Sequence, residues 1–277
     1  MKQDFVLKTK KDNILRISTF ASEGNKINPC LIYVHGFKGF KDWGYIPYLG
    51  KYFANQGFFA ITFNFSHNGV GESLSEFDEL DKFAKNTISL EVEELKEIID
   101  SYVSGFFGTI KNPKIGIIGH SRGGGISILT ASKHKSVNAL AVWASISKLD
   151  RYTRKQKAEW KKEGFIEVLN SRTNQMMKLS LALLEDVEKN KHDKLNIEKA
   201  IKELNRPLLI AYGDQDTSVS FKEAKDLYSW ANKELTSFLE IPASGHTFDT
   251  VHPFTESNPK FELLLNRTNS FFNKYLQ

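Results

Sequence analysis

One stretch of the chain, Lys114–Ser127, most constrains what it can fold into. It begins with the apolar run Ile115–Ile118, which is typical of a strand buried on both faces of a parallel sheet. From Gly123 onward the pattern predicts a helix. Between them, Gly119 and Gly123 flank Ser121, so strand and helix can approach closely while a strained turn presents the serine hydroxyl. This arrangement predicts a nucleophile, and a glycine-rich turn without a chemical role is the alternative.

Buried strands and helices alternate over most of the chain. Apolar runs predict the strands, and helical spacing of apolar residues predicts the helices. In chain order these are strand Cys30–Val34, helix Tyr45–Gln56, strand Phe58–Phe63, helix Ile88–Val103, strand Val137–Trp143, strand Pro207–Tyr212, helix Phe221–Trp230, strand Thr236–Ile241 and helix Asn258–Tyr275. Such alternation predicts an α/β fold with a mostly parallel central sheet and helices on both faces.

Local signals refine the ends of these elements. Phe5–Leu7 and Ile14–Ile17 flank a polar turn, which predicts an antiparallel hairpin at one edge of the sheet. Asp42 is the predicted N-cap of helix Tyr45–Gln56, and Gly57 is its predicted end. A hairpin at the edge leaves the central strands to be covered by the helices.

Residues 145–205 depart from the alternation, because charge rises there and no long buried strand follows. The predicted elements are helices at 153–162, 181–189 and 197–203 and a hairpin that pairs Phe165–Leu169 with Gln175–Leu179. We therefore predict one core domain formed by residues 1–144 and 206–277. Residues 145–205 are predicted to be a small cap subdomain inserted over the carboxyl edge of the sheet.

The bulk composition limits the class of protein. The 277 residues carry 38 Lys and Arg against 33 Asp and Glu, a net charge of +5, with a denser basic patch at 148–162. No nucleic-acid recognition motif accompanies this patch, so we favour a solvated helical face over nucleic-acid binding. With one cysteine, Cys30, no intramolecular disulfide can form. The chain has no signal-peptide pattern and no apolar run of membrane-spanning length, which predicts a cytoplasmic protein without a membrane partner.

Two strand ends carry the side chains that a serine nucleophile needs. A serine hydroxyl requires a neighbouring base, and the base requires an orienting acid. In an open parallel sheet these groups lie at the carboxyl ends of strands. His246 follows the last strand on a glycine loop and is the predicted base, with His252 as the second candidate. After strand Pro207–Tyr212, Asp214 and Asp216 compete for the role of the acid.

Backbone amides beside the serine are predicted to bind the negatively charged oxygen that forms when the serine attacks a carbonyl. One donor is the amide of Arg122, the residue after the serine, at the amino terminus of the helix. The other is expected from the loop after the first buried strand, His35–Phe37, with Phe37 as the donor. His35 is expected to organise this oxyanion loop or to border the substrate.

Two further histidines are candidates for the site. His67, in the loop Asn64–Ser73, and His120, beside the serine, are expected to border the substrate, with packing as the alternative for His120. No group of residues has the spacing of a metal site, and Gly123–Gly125 lacks the Lys-Ser/Thr pair of a phosphate-binding loop. The sequence therefore predicts neither a metal nor a cofactor.

Taken as a set, these motifs resemble the α/β-hydrolase superfamily. The residues that carry the resemblance are His35-Gly36-Phe37, Gly119-His120-Ser121-Arg122-Gly123-Gly124, Gly213-x-x-Asp216 and Gly245-His246. The resemblance covers essentially the whole chain and implies an α/β-hydrolase fold, a serine hydrolase and no cofactor. It also implies that the acid lies three residues after Gly213, which favours Asp216 over Asp214.

Within this superfamily the chain most resembles bacterial serine esterases of the dienelactone-hydrolase and feruloyl (cinnamoyl) esterase type. Those enzymes carry a small cap after the sixth strand, and the segment Trp160–Met176, with Arg172 and Gln175, resembles it. This resemblance implies that Gln175 lies near the substrate. The chain departs from those relatives at Asn64 and Ser66, where an Asp and an Arg are common.

Together these features predict a serine hydrolase that cleaves a small-molecule carboxylic ester through an acyl-enzyme. Ser121 is expected to attack, His246 to transfer the proton and Asp216 to orient His246. A peptidase or an acyltransferase that uses the same three residues is one alternative. A catalytically silent binding protein on the same scaffold is another.

Overall fold

The computed structural model describes residues 1–24, 27–73, 76–170 and 173–277. The strands are β1 (Lys2–Lys8), β2 (Ile14–Phe20), β3 (Cys30–Val34), β4 (Phe59–Asn64), β5 (Ile115–His120), β6 (Val137–Trp143), β7 (Phe165–Asn170), β8 (Gln175–Ser180), β9 (Leu208–Gly213) and β10 (Thr236–Ile241). The helices are α1 (Ile46–Asn55), α2 (Leu80–Ala84), α3 (Ile88–Val103), α4 (Arg122–Lys133), α5 (Arg154–Glu163), α6 (Leu181–Asn190), α7 (Ile197–Glu203), α8 (Phe221–Trp230) and α9 (Pro259–Leu276). Within these ranges, no helix combines the length and the apolar character needed to cross a membrane.

The main sheet has eight strands and is mostly parallel, which confirms the predicted fold class. Its spatial order is β1-β2-β4-β3-β5-β6-β9-β10, and only the β1–β2 and β2–β4 neighbours among the described strands of this sheet are antiparallel. The hairpin of β1 and β2 therefore forms one edge, as its polar turn indicates. Every residue of β3, β4, β5 and β9 is buried, as is typical of parallel strands covered on both faces.

Strand β5 shows how closely helices pack on the two faces of the sheet. A Cβ atom added at Gly116 would lie 2.5 Å from Cε1 of Phe272 in α9. One added at Gly119 would lie 2.7 Å from Cα of Gly124 in α4. Because residues 116 and 119 point to opposite faces of the strand, α9 and α4 cover opposite faces of the sheet. The prediction of helices on both faces is confirmed.

The N-cap of the first helix differs from the prediction. Asp42 does not cap α1, because its carboxylate pairs with the buried side chain of Lys41. The helix begins instead after Tyr45, whose side chain makes no capping hydrogen bond. Pro47 in the first turn has no amide hydrogen, so one fewer donor needs an acceptor there. Gly57 follows the helix with a φ of +89°, a conformation that glycine adopts easily at a helix end.

Residues 145–205 contain one helix, a hairpin and two further helices, in the predicted order. Strands β7 and β8 pair antiparallel as a separate two-stranded sheet. Two positions of the predicted hairpin turn, Ser171 and Arg172, lie outside the described residues, and so does the part of the cap resemblance that rests on Arg172. Lys38, just beyond the carboxyl end of β3, donates from Nζ to the carbonyl of Leu169 in β7 at 2.9 Å. The hairpin therefore lies over that edge of the sheet.

Polar contacts attach the same segment to the surrounding helices. The carboxylate of Asp186 in α6 accepts from the amide of Ser89, in the first turn of α3, at 2.8 Å and from its hydroxyl at 2.5 Å. A carboxylate at a helix amino terminus is favourable because it meets unpaired amides and the positive end of the helix dipole. Helix α7 packs beside α4, where Cδ1 of Ile197 lies 2.9 Å from the position of a Cβ at Gly125. The segment is thus held by α3 on one side and α4 on the other.

Alanine substitutions at two glycines of α4 test the close packing of this helix. A Cβ at Gly123 would lie 2.3 Å from O of Val34 and 2.5 Å from O of His35, whereas the nearest atom at Gly125 is Cδ1 of Ile197 at 2.9 Å. We expect Gly123→Ala to lower the free energy of unfolding by about 3 kcal/mol or more, because backbone would have to move. Gly125→Ala should stay within about 1 kcal/mol of wild type, since the isoleucine can rotate and alanine favours a helix. Chemical denaturation measures both, and equal losses would contradict the difference in crowding.

Candidate active site

Ser121 occupies the turn between β5 and α4 in a strained backbone conformation. Its φ is +57° and its ψ is −121°, which costs a residue with a side chain about 1–3 kcal/mol. The amide of Ser121 donates to the carbonyl of Trp143 at 2.9 Å, and its carbonyl accepts from the amide of Gly124 at 3.0 Å. These bonds hold the turn, and the residue lines two cavities at the strand ends.

A chain of hydrogen bonds begins at the hydroxyl of Ser121. Its Oγ lies 3.0 Å from Nε2 of His246, and Nδ1 of His246 lies 2.7 Å from Oδ2 of Asp216. The three residues follow β5, β10 and β9 respectively, so the carboxyl ends of three strands bring them together. An imidazole with its Nδ1 hydrogen directed at a carboxylate has its Nε2 lone pair free to accept the serine proton.

Of the two candidate acids, Asp216 is the one beside His246. Its side chain is fully buried, and its second oxygen, Oδ1, accepts from the amides two and three residues later at 2.8 and 2.9 Å. These bonds fix the carboxylate so that Oδ2 faces the imidazole. Asp214 is exposed, and its carboxylate accepts from the amide of Ser244 at 3.3 Å.

His252, the second candidate base, has a different environment. Its Nδ1 accepts from the amide of Gly44 at 2.9 Å, and its ring stacks on Trp43 with 5.9 Å between ring centroids. Phe40 contacts the same ring edge-on at 5.5 Å. His252 therefore supports the loop that precedes α1, and His246 is the histidine that reaches Ser121.

The loop after β3 runs directly beside Ser121. A Cβ atom added at Gly36 would lie 3.0 Å from Cβ of Ser121, so a larger residue would push the loop away from the serine. Nε2 of His35 accepts from the amide of Phe65 at 3.4 Å, so Nδ1 carries the hydrogen and donates to the carbonyl of Gly36 at 2.9 Å. Burial lowers the pKa of His35 to about 4, which keeps the ring neutral. His35 thus supports the loop that carries Phe37.

His120 supports the backbone of the loop that carries His246. Its Nε2 donates to the carbonyl of His246 at 2.9 Å, and the two rings lie 4.8 Å apart. Burial lowers the pKa of His120 to about 3. The ring therefore stays neutral and keeps one fixed donor. His120 also lines the smaller of the two cavities at Ser121.

Two of the predicted substrate contacts lie elsewhere. Nδ1 of His67 lies 2.7 Å from the hydroxyl of Ser66, and burial lowers the pKa of this histidine. Gln175, at the start of β8, donates from Nε2 to the carbonyl of Phe77 at 3.3 Å. Neither residue is among the described residues that line the two cavities at Ser121. Contact of either side chain with a substrate stays a prediction.

Two cavities meet at Ser121 and His246. The smaller has a volume of about 330 Å³ and a polar and aromatic wall that includes Tyr33, His35, Trp43, His120 and Thr247. The larger, about 470 Å³, has the cationic side chains of Lys38, Arg122 and Arg151 in its wall beside a set of branched aliphatic ones, namely Ile88, Ile146, Leu149, Val168, Leu183, Val187 and Val219. Several of these belong to residues 145–205.

Acids pair with several residues of the basic patch at 148–162. The ion pairs have N···O distances between 2.5 and 2.8 Å and are Lys157–Asp150, Lys161–Glu188 and Arg151–Glu223. Pairing of this kind reduces the electrostatic field that a polyanion would require. The patch therefore fits the interpretation of a solvated helical face.

The described ranges contain few other reactive side chains. Cys30 is buried in β3, and burial raises the pKa of its thiol well above the usual value, so it is a core residue. Among the described residues, no group of three or more His, Cys, Asp and Glu side chains has the geometry to hold a metal ion. The side chains around Ser121 are therefore the principal candidates for chemistry in this part of the chain.

The partner of the Arg122 side chain was not predicted from the sequence. Nη2 of Arg122 lies 2.6 Å from Oε1 of Glu91 in α3, and the Glu91 side chain is only 2% exposed. Glu91 interrupts the apolar face of α3 that includes Ile88 and Leu95. A charged residue on a buried helix face needs a partner, because burying an unpaired charge is costly. That interruption is the signal in the sequence from which the ion pair could have been inferred.

The fold places the chain in a known family. Residues 29–193 match the family model described as the alpha/beta hydrolase fold. The chain belongs to the α/β-hydrolase family. No curated protein sequence matches the chain significantly. The superfamily inferred from the motifs is thus confirmed, and with it the fold.

Solved structures of the same fold align with this hydrolase chain over nearly its whole length. Est1E from Butyrivibrio proteoclasticus, solved with ferulic acid bound, has a TM-score of 0.75 and 17% identity and covers 98% of each chain. GrgF, an alpha/beta hydrolase from Penicillium sp., has a TM-score of 0.76 and 15% identity over 100% of this chain and 99% of its own. A dienelactone hydrolase from Anabaena variabilis has a TM-score of 0.64 and 14% identity, with the same coverage. At these identities the likeness establishes the fold.

Replacing His120 should change how the stability of the protein depends on pH. An unfolded histidine has a pKa of about 6.5, whereas burial lowers the folded value to about 3. The unfolded state therefore binds more protons below pH 6.5, and stability falls as the pH falls. Between pH 6.5 and 5 this histidine alone should remove about 2 kcal/mol from the free energy of unfolding.

The variant His120→Gln keeps a donor near the carbonyl of His246 but cannot be protonated. Over the same interval it should lose about 2 kcal/mol less than wild type in urea unfolding. Measurements at pH 8, where the histidine is neutral in both states, give the reference for each protein. Identical pH dependence of the two proteins would show that protonation of His120 is not what lowers the free energy of unfolding.

Proposed function

We propose that the protein is a serine hydrolase that cleaves carboxylic esters of small molecules through an acyl-enzyme. The observation that carries this proposal is the hydrogen-bonded chain from Ser121 through His246 to Asp216, with distances of 3.0 and 2.7 Å, at the meeting point of two cavities. Each of the three residues has the role that the chemistry requires: nucleophile, base and orienting acid.

In the first half of the reaction, Oγ of Ser121 attacks the carbonyl carbon of the ester while its proton moves to Nε2 of His246. The oxygen of the carbonyl becomes negatively charged as the new bond forms. When this tetrahedral intermediate collapses, the bond to the alcohol oxygen breaks and the alcohol takes the proton from Nε2. Asp216 stabilises the imidazolium that exists between these two proton transfers.

The backbone amides of Phe37 and Arg122 are the proposed donors to the charged oxygen. Arg122 is the first residue of α4, so its amide has no acceptor within the helix. Phe37 follows Gly36, which lies beside the serine. Donors that are fixed in place before the reaction stabilise the charge without having to reorganise, and a single donor typically contributes about 10²–10³ in rate.

In the second half of the reaction, water replaces the alcohol. A water molecule loses a proton to Nε2 of His246 and attacks the acyl carbon, and collapse of this second intermediate releases the carboxylic acid and returns the proton to Oγ of Ser121. Every step uses only side chains and amides of this chain and water. The proposed mechanism therefore needs no metal and no cofactor.

The two cavities suggest how an ester would lie across the site. We propose that the acyl group occupies the larger cavity, along its aliphatic side chains, and that the alcohol occupies the smaller one. Residues 145–205 then act as a cap, because Ile146, Leu149, Leu183 and Val187 from this segment supply much of the larger cavity. Similarity in fold to Est1E, which binds ferulic acid, is consistent with a small carboxylic acid as product.

Substitution of the serine tests the reaction directly. Ser121→Ala should lower kcat/KM on a short nitrophenyl ester by about 10³-fold or more, because the nucleophile is lost while the cavities are retained. A fluorophosphonate probe should label wild type on Ser121 and leave the variant unlabelled. Full activity of the variant would overturn the proposal. A parallel panel of matched amides distinguishes a peptidase, for which amides would be cleaved faster than esters.

A pair of aspartate variants tests the assignment of the acid. Asp216→Asn should lower kcat by about 10³–10⁴-fold, because an amide at this position favours the wrong tautomer of His246. Asp214→Asn is the matched control, two residues away and exposed, and should keep kcat within about threefold of wild type because its carboxylate bonds only a backbone amide. Steady-state kinetics on the same ester compare the two. A larger loss in the control would reassign the acid to Asp214.

A further inference from the structure

The side chain of Arg122 makes a second set of contacts beside the serine. Its guanidinium pairs with the buried carboxylate of Glu91, and Nδ2 of Asn86 donates to the same Oε1 atom at 2.8 Å. Glu91 is therefore held from two sides. The charged end of the arginine is in turn fixed relative to α3, although the residue itself begins α4.

The same guanidinium also lies over the aromatic ring of Phe37, with 4.5 Å between Cζ and the ring centroid. This distance is within the range of a cation–π contact. The Phe37 ring stacks on buried Phe83 at 5.6 Å with 26° between the ring planes. The ring of Phe37 is thus packed between an arginine and a phenylalanine, each of which is fixed by its own surroundings.

We propose that the Arg122 side chain is a positioning residue that sets the spacing of the two oxyanion donors. One donor is the amide of Arg122 itself, and the other is the amide of Phe37, whose ring the guanidinium holds. One side chain therefore links the two backbone segments that must face the same oxygen atom. This inference rests on the proposed function, because it concerns the charged oxygen of that reaction.

The loop that carries Phe37 is a tight turn. Lys38 has a φ of +57°, in the left-handed region that only a few per cent of non-glycine residues adopt. The amide of Gly39 donates to the carbonyl of Gly36 at 3.0 Å and closes the turn on itself. Hydrogen bonds of His35 and Lys38 hold the two ends of this turn, and the ring of Phe37 adds a side-chain contact with α4. Errors of about 1 Å in the position of a catalytic group can lower a rate by about 10²-fold.

An arginine suits this task better than a lysine or an apolar residue. Its planar guanidinium can hydrogen-bond a carboxylate through an edge while a face rests on an aromatic ring. Packed apolar residues often match or exceed a buried ion pair in stability, so stability alone gives little reason for the Arg122–Glu91 pair. The geometry that the pair imposes on Phe37 supplies a reason.

The experiment compares Arg122→Met and Arg122→Lys in the full-length protein. Both variants keep the backbone amide, and methionine keeps much of the length while it removes the charge. We expect Arg122→Met to lower kcat by about 10- to 100-fold with KM changed less than about threefold, since the loss affects the transition state. Inhibition by a trifluoromethyl ketone, which forms a charged tetrahedral adduct with the serine, should weaken in the same proportion as kcat/KM. Arg122→Lys should recover part of both losses.

Phe37→Leu provides a second route to the same answer if an arginine variant folds poorly. It removes the ring and keeps the amide, so it should reproduce the loss in kcat. If Arg122 acts through the ring, the double variant Arg122→Met with Phe37→Leu should be no slower than the slower single variant by more than about twofold. Independent, multiplied losses would overturn the proposal.

Asp100→Asn is the matched control for loss of a polar contact between the same two helices. The carboxylate of Asp100 lies 2.9 Å from Nε2 of His134, a contact that joins α3 to the end of α4 remote from Ser121. This variant should keep kcat and inhibitor affinity within twofold of wild type. Comparable losses in the control would assign the Arg122 effect to general packing of the two helices.

The outcomes separate this inference from the proposed function. If Ser121→Ala is inactive and Arg122→Met keeps kcat within twofold, the positioning role is wrong and the serine mechanism stands. A change confined to KM would make Arg122 only part of the cavity wall, which also overturns the role. If Ser121→Ala keeps full activity, the proposed function itself fails, whatever the arginine variants do.

Discussion

The close contact of α4 with the ends of β3 and β5 is the constraint on which the rest of the site depends. At Gly123 a single added carbon would lie 2.3 Å from a strand carbonyl, so the helix begins as near to the sheet as backbone atoms allow. This approach forces the turn at Ser121 into a positive φ. The same approach puts the oxyanion loop beside the first amide of the helix. Separation of helix and sheet would relax the turn and remove both features together.

The side chains that reach Ser121 have further hydrogen bonds that fix their positions. The carboxylate of Asp216 accepts two backbone amides, and neutral His120 holds the backbone of His246. His35 does the same for the oxyanion loop. Burial lowers the pKa of both supporting histidines, so each stays neutral and keeps one tautomer. Histidines of the same chemical type thus have different roles because of their surroundings.

Local patterns were sufficient for most of the architecture. Helix α3, strand β6 and helix α8 have the predicted bounds, because long apolar periodicity reflects burial directly. Helix α2 was not predicted, since five residues are too short to establish a period. The Asp42 cap was wrong because a lysine next to it in the sequence competes for the carboxylate.

Some residues of the site could be predicted from the sequence next to them, and others depend on contacts between distant parts of the chain. Ser121, His246 and the two aspartates could be named from strand ends, and the family resemblance favoured Asp216 over Asp214. The contact with His246 is made by Asp216. The cavities and the partner of Arg122 depend on residues that are distant in sequence. For those, the sequence contains one hint, the charge of Glu91 on a buried face.

The contact between Lys38 and the hairpin β7–β8 has a consequence for how such a protein can diverge. The lysine binds the carbonyl of Leu169, a group that every amino acid presents. Side chains of the hairpin can therefore be exchanged by mutation without loss of its attachment to the oxyanion loop. Leu169 and Met176 pair across the hairpin and are exposed, so substitution of either side chain should cost little. Inward neighbours such as Val168, which lines the larger cavity, can vary while the loop after β3 stays anchored.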